Sequence, residues 1–239
     1  MTILHTKFLV HWTGKDFHKP LTNPLDDRIR KHYVDRLADI LKNGFLMQRN
    51  MEETERIYDC DGEWIQTAVS RTCFTEIKLS MAKTHAQQYG HLGIGVTRKF
   101  VIERFGNPVF YVSNGDYANI IACARKVTNY LKKTDSEILA ELQIILAYLK
   151  KMGEQNSNDL NYYDELEWRI THLTRLEKAG IVKVQDQNEH IYRIKLEKSD
   201  VKVLVFPDEQ TKALALENTD ITSSIQKPIC VTMDDCENF

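Results

Sequence analysis

Residues 71–112 read RTCFTEIKLSMAKTHAQQYGHLGIGVTRKFVIERFGNPVFYV, and their order of elements sets the fold class. Arg71 to Ile77 has the β-branched and aromatic content of a strand. Ser80 stands where a cap would begin a short helix through Gln88, and Gly90 ends it. Ile94, Gly95 and Val96 follow as a buried strand, Thr97 to Phe105 as a second short helix, and Pro108 to Val112 as a further apolar strand. Cys73, Phe74, Ile94, Val109, Phe110 and, farther on, Trp168 are the expected core residues.

Outward from this block, Phe8 to Trp12 is a short apolar run that delivers His-Trp-Thr-Gly to its end. A loop with Pro20 and Pro24 precedes a helix whose apolar positions Leu25, Ile29, Tyr33, Leu37, Ile40 and Leu41 recur at helical spacing up to the stop at Asn43-Gly44. The mixed-charge segment around Arg28, Arg30, Lys31 and His32 reads as the solvated face of this helix. Glu52 to Trp64, with Asp61-Gly62, reads as a loop or hairpin tip. On the C-terminal side, a helix spans about Tyr117 to Leu131, and Thr134 with Glu137 has capping-box spacing ahead of a second. Gln155 to Asn161 is a polar linker. Glu165 to Thr171, Ile181 to Val184, Ile191 to Leu196 and Val201 to Phe206 read as strands. Two groups of strands separated by helices make an α+β order without regular βαβ alternation. The tail after Pro207 has little apolar periodicity beyond Leu214 and Leu216, and its last ten residues are expected to be mobile.

The 239 residues are 42% hydrophobic and 28% charged, which is the composition of a folded globular chain and excludes wholesale disorder. A net charge of −2 provides no global attraction to nucleic acid or anionic lipid, so such a contact would need a local patch. Five cysteines without C-x-x-C spacing argue against a disulfide framework or a zinc site. No stretch reaches the roughly 18 apolar residues of a membrane span, and a reducing cytoplasm is the expected home. The dinucleotide G-x-G-x-x-G, P-loop and H-E-x-x-H patterns are absent.

Three places could carry chemistry. His11 and Thr13 are two apart on a strand and share a face, so both can reach one ligand, the imidazole donating and the hydroxyl bracing it; an isolated strand-end histidine also serves as an ordinary core or rim residue. Glu165, Glu167 and Arg169 share one face of a strand whose other face carries Leu166, Trp168 and Ile170. With the apolar set inward, the charged row either stabilises a cationic transition state or forms an ion-pair ladder on an exposed sheet. His85 and Tyr89 are four apart on a helix, where Tyr89 could stack on a flat ring or simply pack.

Taken together, the chain order of a His-x-Thr near the N-terminus, an aromatic helix after a central strand and a late Glu-x-Glu resembles the ADP-ribosyltransferase superfamily. HWTG at 11–14, LADILKNGFL at 37–46, residues 73–102, NPVFYV at 107–112 and YDELEWRI at 163–170 are similar to the AbiGi family of abortive phage-resistance proteins, over roughly residues 8–206. The resemblance implies a split sheet flanked by helices over residues 1–206, with a helical insertion at about 115–153 and a C-terminal extension at 207–239. It implies NAD as substrate, with His11, Thr13, Tyr89 and His85 holding it, Glu167 as the catalytic carboxylate and Glu165 addressing an acceptor, and no metal. The implied role is anti-phage defence, either as a transferase of ADP-ribose to a macromolecule or NAD hydrolase, or as a non-catalytic antitoxin restraining a partner toxin.

Overall fold

The computed structural model describes residues 8–19, 24–49, 56–58, 64–66, 69–76, 78–112, 119–151 and 166–238. The expected hairpin tip at Asp61-Gly62, the linker 155–161 and Glu165 lie outside these residues. In chain order the elements are β1 (Phe8–Thr13), α1 (Asp27–Asn43), β2 (Phe45–Arg49), β3 (Arg56–Tyr58), β4 (Trp64–Gln66), β5 (Ser70–Thr75), α2 (Ala82–Tyr89), β6 (Leu92–Thr97), α3 (Arg98–Ile102), β7 (Asn107–Pro108) and β8 (Phe110–Val112). There follow α4 (Asn119–Thr134), α5 (Ser136–Leu146), β9 (Leu149–Lys151), β10 (Glu167–Thr171), α6 (Thr174–Lys178), β11 (Val182–Asp186), β12 (Ile191–Ile194), β13 (Val201–Phe206), α7 (Glu209–Glu217), α8 (Thr219–Ser224) and β14 (Ile229–Thr232).

The fold is α+β. A ten-stranded mixed sheet runs β11-β12-β2-β5-β1-β6-β13-β14, with β10 added to β5 and β7 to β10. Most pairs are antiparallel; β13 and β14 are parallel. Alternation along β1 sends Leu9 to one core and Val10 and Trp12 to another. The first core lies under α1, α7 and α8, whose Ile29, Tyr33, Leu37, Ala215 and Ile221 meet Phe45, Phe74 and Ile94. The second lies under α2, where Ala82 and Ala86 meet Val203, Val205 and Met233. A third, small cluster of Val112, Ala124, Leu146 and Leu149 holds α4, α5, β8 and β9 together.

Local chemistry explains most boundaries. Asp26 caps α1 by accepting from the Ile29 amide at 2.8 Å, and Gly44 at φ 94° turns the chain out of it. Thr97 caps α3 through the Phe100 amide. Two expected caps are different. Ser80 lies within a 3₁₀ turn, Leu79–Met81, and α2 begins at Ala82 without a side-chain cap. Asp135, not Thr134, caps α5, taking the amides of Glu137 and Ile138.

Two sequence expectations are corrected. The strand expected at 108–112 is two pieces: β7 extends β10, while β8 leaves to pair with β9, and Phe110 turns out to solvent at 69% exposure while Val109 and Val112 take the buried places. The tail beyond Pro207 is also ordered, since β14 adds a parallel strand to β13 and α7 and α8 insert Ala215 and Ile221 into the first core.

Candidate functional site

The strand β5 carries three partners on two edges, and this creates the cleft. One edge belongs to β10 from Arg71 to Thr75. The other edge is divided: β2 pairs at Ser70 and Arg71, and β1 pairs at Thr75 opposite Val10. Between these points β1 and β2 part. The carbonyl of Cys73, exposed by the parting, accepts from His11 Nδ1 at 2.9 Å, and the carbonyl of Leu46 accepts from the Thr72 hydroxyl at 2.7 Å. A cleft of about 1030 Å³ opens there, lined by His11, Thr13, Tyr89 and Glu167 together with α1 residues. That is at the upper end of ligand-site volumes, about 300–1,000 Å³.

His11 and Thr13 enter from the α1 side. The His11 ring packs against Phe45 and Phe74, with centroids 5.0 and 5.8 Å away. Burial lowers its pKa, the Cys73 carbonyl partly offsets this, and nearby Arg36 lowers it further. The ring is therefore neutral at pH 7 with its proton on Nδ1, because a carbonyl can only accept. This reverses the expected role: Nε2 is left as an acceptor, suited to a ligand hydroxyl rather than donating to one. Thr13 does brace, but it braces Arg36, whose Nη1 donates to the Thr13 hydroxyl at 2.9 Å while Nη2 pairs with Asp16 at 2.6 Å.

Glu167 and Tyr89 enter from the α2 side. Register puts Glu167 opposite Thr75, on the face of Val10 and Trp12, so it and His11 approach the gap from the two sides of the sheet. The expected apolar-inward strand is buried on both faces: Ile170 and Arg169 are each at 0% exposure and Glu167 at 4%. Glu167 and Arg169, the described members of the charged row, are thus not an exposed ladder. Lys150 Nζ and Arg169 Nε each hold the Glu167 carboxylate at 2.7 Å, and Arg169 also donates to the Ala147 carbonyl. Burial pushes the Glu167 carboxyl up, but Arg169 and Lys150 outweigh it and bring its pKa to about 2. Cys73 beside it is raised to about 12, by burial first and then by the Glu167 charge.

Tyr89 lines the cleft, but His85 does not; it is fully buried one turn back, its ring stacked on that of Tyr89 at 6.4 Å. Gly90 follows at φ 109°, and a Cβ there would lie 2.2 Å from the Thr13 carbonyl oxygen, so only glycine lets α2 end against β1.

The charge of the cleft is the feature that sequence reading missed. Its lining holds Lys15, Lys19, Arg36, Arg71, Lys150 and Arg193 against Asp16, Asp39 and Glu167, an excess of three positive charges in a chain of net −2. Nothing in spacing announced Lys150, which lies in the short strand β9, 17 residues before Glu167. Arg36 and Arg193 sit on elements that read as ordinary amphipathic pieces. Convergent cations at a concave site suit a multiply charged anion.

No curated protein and no solved structure matches the chain. Among the described residues, no helix is long and apolar enough to cross a membrane. A family model does match, over residues 44–214, which takes in β2 through part of α7 and therefore Tyr89, Lys150 and Glu167, while His11 and Thr13 lie ahead of it. That family is described as "Putative abortive phage resistance protein AbiGi, antitoxin", and with well over half of its residues matched, this chain belongs to the AbiGi family.

Proposed function

We infer that this protein is the antitoxin-type component of a cytoplasmic abortive-infection system, and that its split-sheet cleft binds NAD or a related phosphate-bearing nucleotide without cleaving it. The family supports the defence role and a toxin as partner. Three features of the cleft support the ligand: its cationic excess suits a pyrophosphate, the His11 Nε2 acceptor suits a ribose hydroxyl, and the half-buried Tyr89 ring suits a base or nicotinamide. The divided edge of β5 is in keeping with the split sheet that the ADP-ribosyltransferase resemblance implies.

The observation that carries the non-catalytic reading is the state of Glu167. A transferase or NAD hydrolase needs a carboxylate whose charge is available to a developing oxocarbenium ion. Glu167 is already held by Lys150 and Arg169, both at 2.7 Å, so a cation forming beside it would meet a local excess of positive charge. The transferase reading keeps one point in its favour, the arrival of His11, Thr13, Tyr89 and Glu167 at one cleft from distant parts of the chain. With Glu165 as its proposed acceptor-addressing residue, that reading requires nicotinamide release.

Calorimetric titration with ADP-ribose and NAD tests the ligand assignment. Saturable binding is expected, with at least a tenfold loss in Arg36→Ala, because a charged hydrogen bond to a phosphate contributes about 1.5–3 kcal/mol. Equal affinity of wild type and Arg36→Ala would remove the phosphate from that end of the cleft.

A further inference from the structure

A second concave surface shares no lining residue with the cleft. Two cavities of about 500 and 490 Å³ have Glu141, Ile144, Leu173 and Arg175 in common, so they are the two ends of one groove beside α5. The first end is apolar, walled by Ile102, Phe105, Pro108, Tyr148 and Trp168. The other end is basic, with Arg49, His172 and His190. Glu141 is the single carboxylate along the lining of either end.

At the apolar end Ile102 is 53% exposed and Phe105 42%, and on α5, beside the lining residues Glu141 and Ile144, Ile138 and Ile145 are 53% and 62% exposed. Ile138, Glu141 and Ile145 stand at i, i+3 and i+7, so they form one stripe along the helix. Large aliphatic groups gathered at a groove mark a protein contact. The basic end is built rigidly: His172 stacks on buried Tyr192 at 3.7 Å and is bonded to Glu177, and the Arg175 guanidinium lies over Phe105 at 3.8 Å. Among the described residues Arg175 is held by the Phe105 ring and neither it nor Arg49 forms an ion pair with a carboxylate.

We propose that this groove docks an amphipathic segment of a partner protein, whose apolar side chains lie on Phe105 and on the Ile138 and Ile145 stripe of α5 beside the groove, and whose carboxylates meet Arg49 and Arg175. Charge complementarity selects the acidic character, and the exposed aliphatic side chains Ile138 and Ile145 favour the aliphatic side chains of a protein over nucleic acid. The assignment does not depend on what the cleft binds. A segment of this kind presents anchors at i, i+3, i+4 and i+7 and ends in a cluster of Glu.

Fluorescence anisotropy with a synthetic amphipathic helix of about four turns ending in Glu, a copy with Lys in place of Glu, and a single-stranded RNA of similar length tests it. The acidic peptide is expected to bind saturably and at least about tenfold tighter than the Lys copy, with the preference reversed in the double variant Arg49→Glu, Arg175→Glu. Ile145→Ser should weaken the acidic peptide about tenfold without changing the melting temperature. ADP-ribose titration of the same variants should match wild type, which separates a failure here from a failure of the cleft reading. Equal binding of both peptides, a preference the charge swap leaves untouched, no binding of either peptide, or binding of RNA in their place would overturn the proposal.

Discussion

At Glu167 the surroundings of one side chain decide what it can do. Buried at 4% exposure and held by two cations, its carboxylate is ionised at neutral pH. Removing one charge from such a network leaves the others uncompensated, and Glu167→Gln should cost about 3–5 kcal/mol in urea unfolding. The pH dependence has a definite sign. The folded pKa of about 2 lies below the unfolded carboxylate range, so this stabilisation is complete above about pH 4.5 and is lost as pH falls from there toward 2. Glu167→Gln should flatten the acid limb of the stability profile over that window; an unchanged limb would show that the charge is not what the network holds. Period-2 alternation made the shared face of Glu167 and Arg169 legible in the sequence. Their burial was not, because it depends on Lys150 and Ala147, which reach them from a different element.

Among the elements, those that carry a strong local signal were readable. The spacing of Ile29, Tyr33, Leu37 and Ile40 and the Asn43-Gly44 stop defined α1, and the β-branched runs defined β1, β5, β6 and β13. Failures came where tertiary pairing overrides a continuous apolar run, as at Phe110, where the chain passes from β10 to β9 within one residue, and where an element buries only one or two side chains, as α7 and α8 do with Ala215 and Ile221. Gly90 ties an element to the cleft. Its left-handed φ, and the 2.2 Å that would separate an added methyl carbon from the Thr13 carbonyl oxygen, mean that Gly90→Ala must push α2 away from the end of β1. A cost of about 1–3 kcal/mol is expected, with weaker ADP-ribose binding because Thr13 holds Arg36. Thermal unfolding and calorimetry on the same variant check both parts; an unshifted melting temperature would contradict the close packing.

For the whole molecule, the division of β5 between β1 and β2 opens a cleft with three excess positive charges, while the groove beside α5 occupies a different surface. A split sheet was expected only as what the family resemblance implies, whereas the charge of the cleft arises from residues on the loop after β1 and on α1, β5, β9 and β12 that no local pattern connects. If the protein restrains a toxin without using chemistry of its own, co-expression with that toxin should show Glu167→Gln protecting cells as well as wild type wherever the variant is folded, and a folded Glu167→Gln that fails to protect would contradict this. The central claim, binding without turnover, is tested most directly by incubating wild-type protein with saturating NAD, with and without the partner toxin, and measuring bound nucleotide and free nicotinamide in the same sample. Stoichiometric NAD binding with nicotinamide at the level of the protein-free control is the expected result. Nicotinamide released over many turnovers, and abolished in Glu167→Gln, would contradict it and make this protein an enzyme.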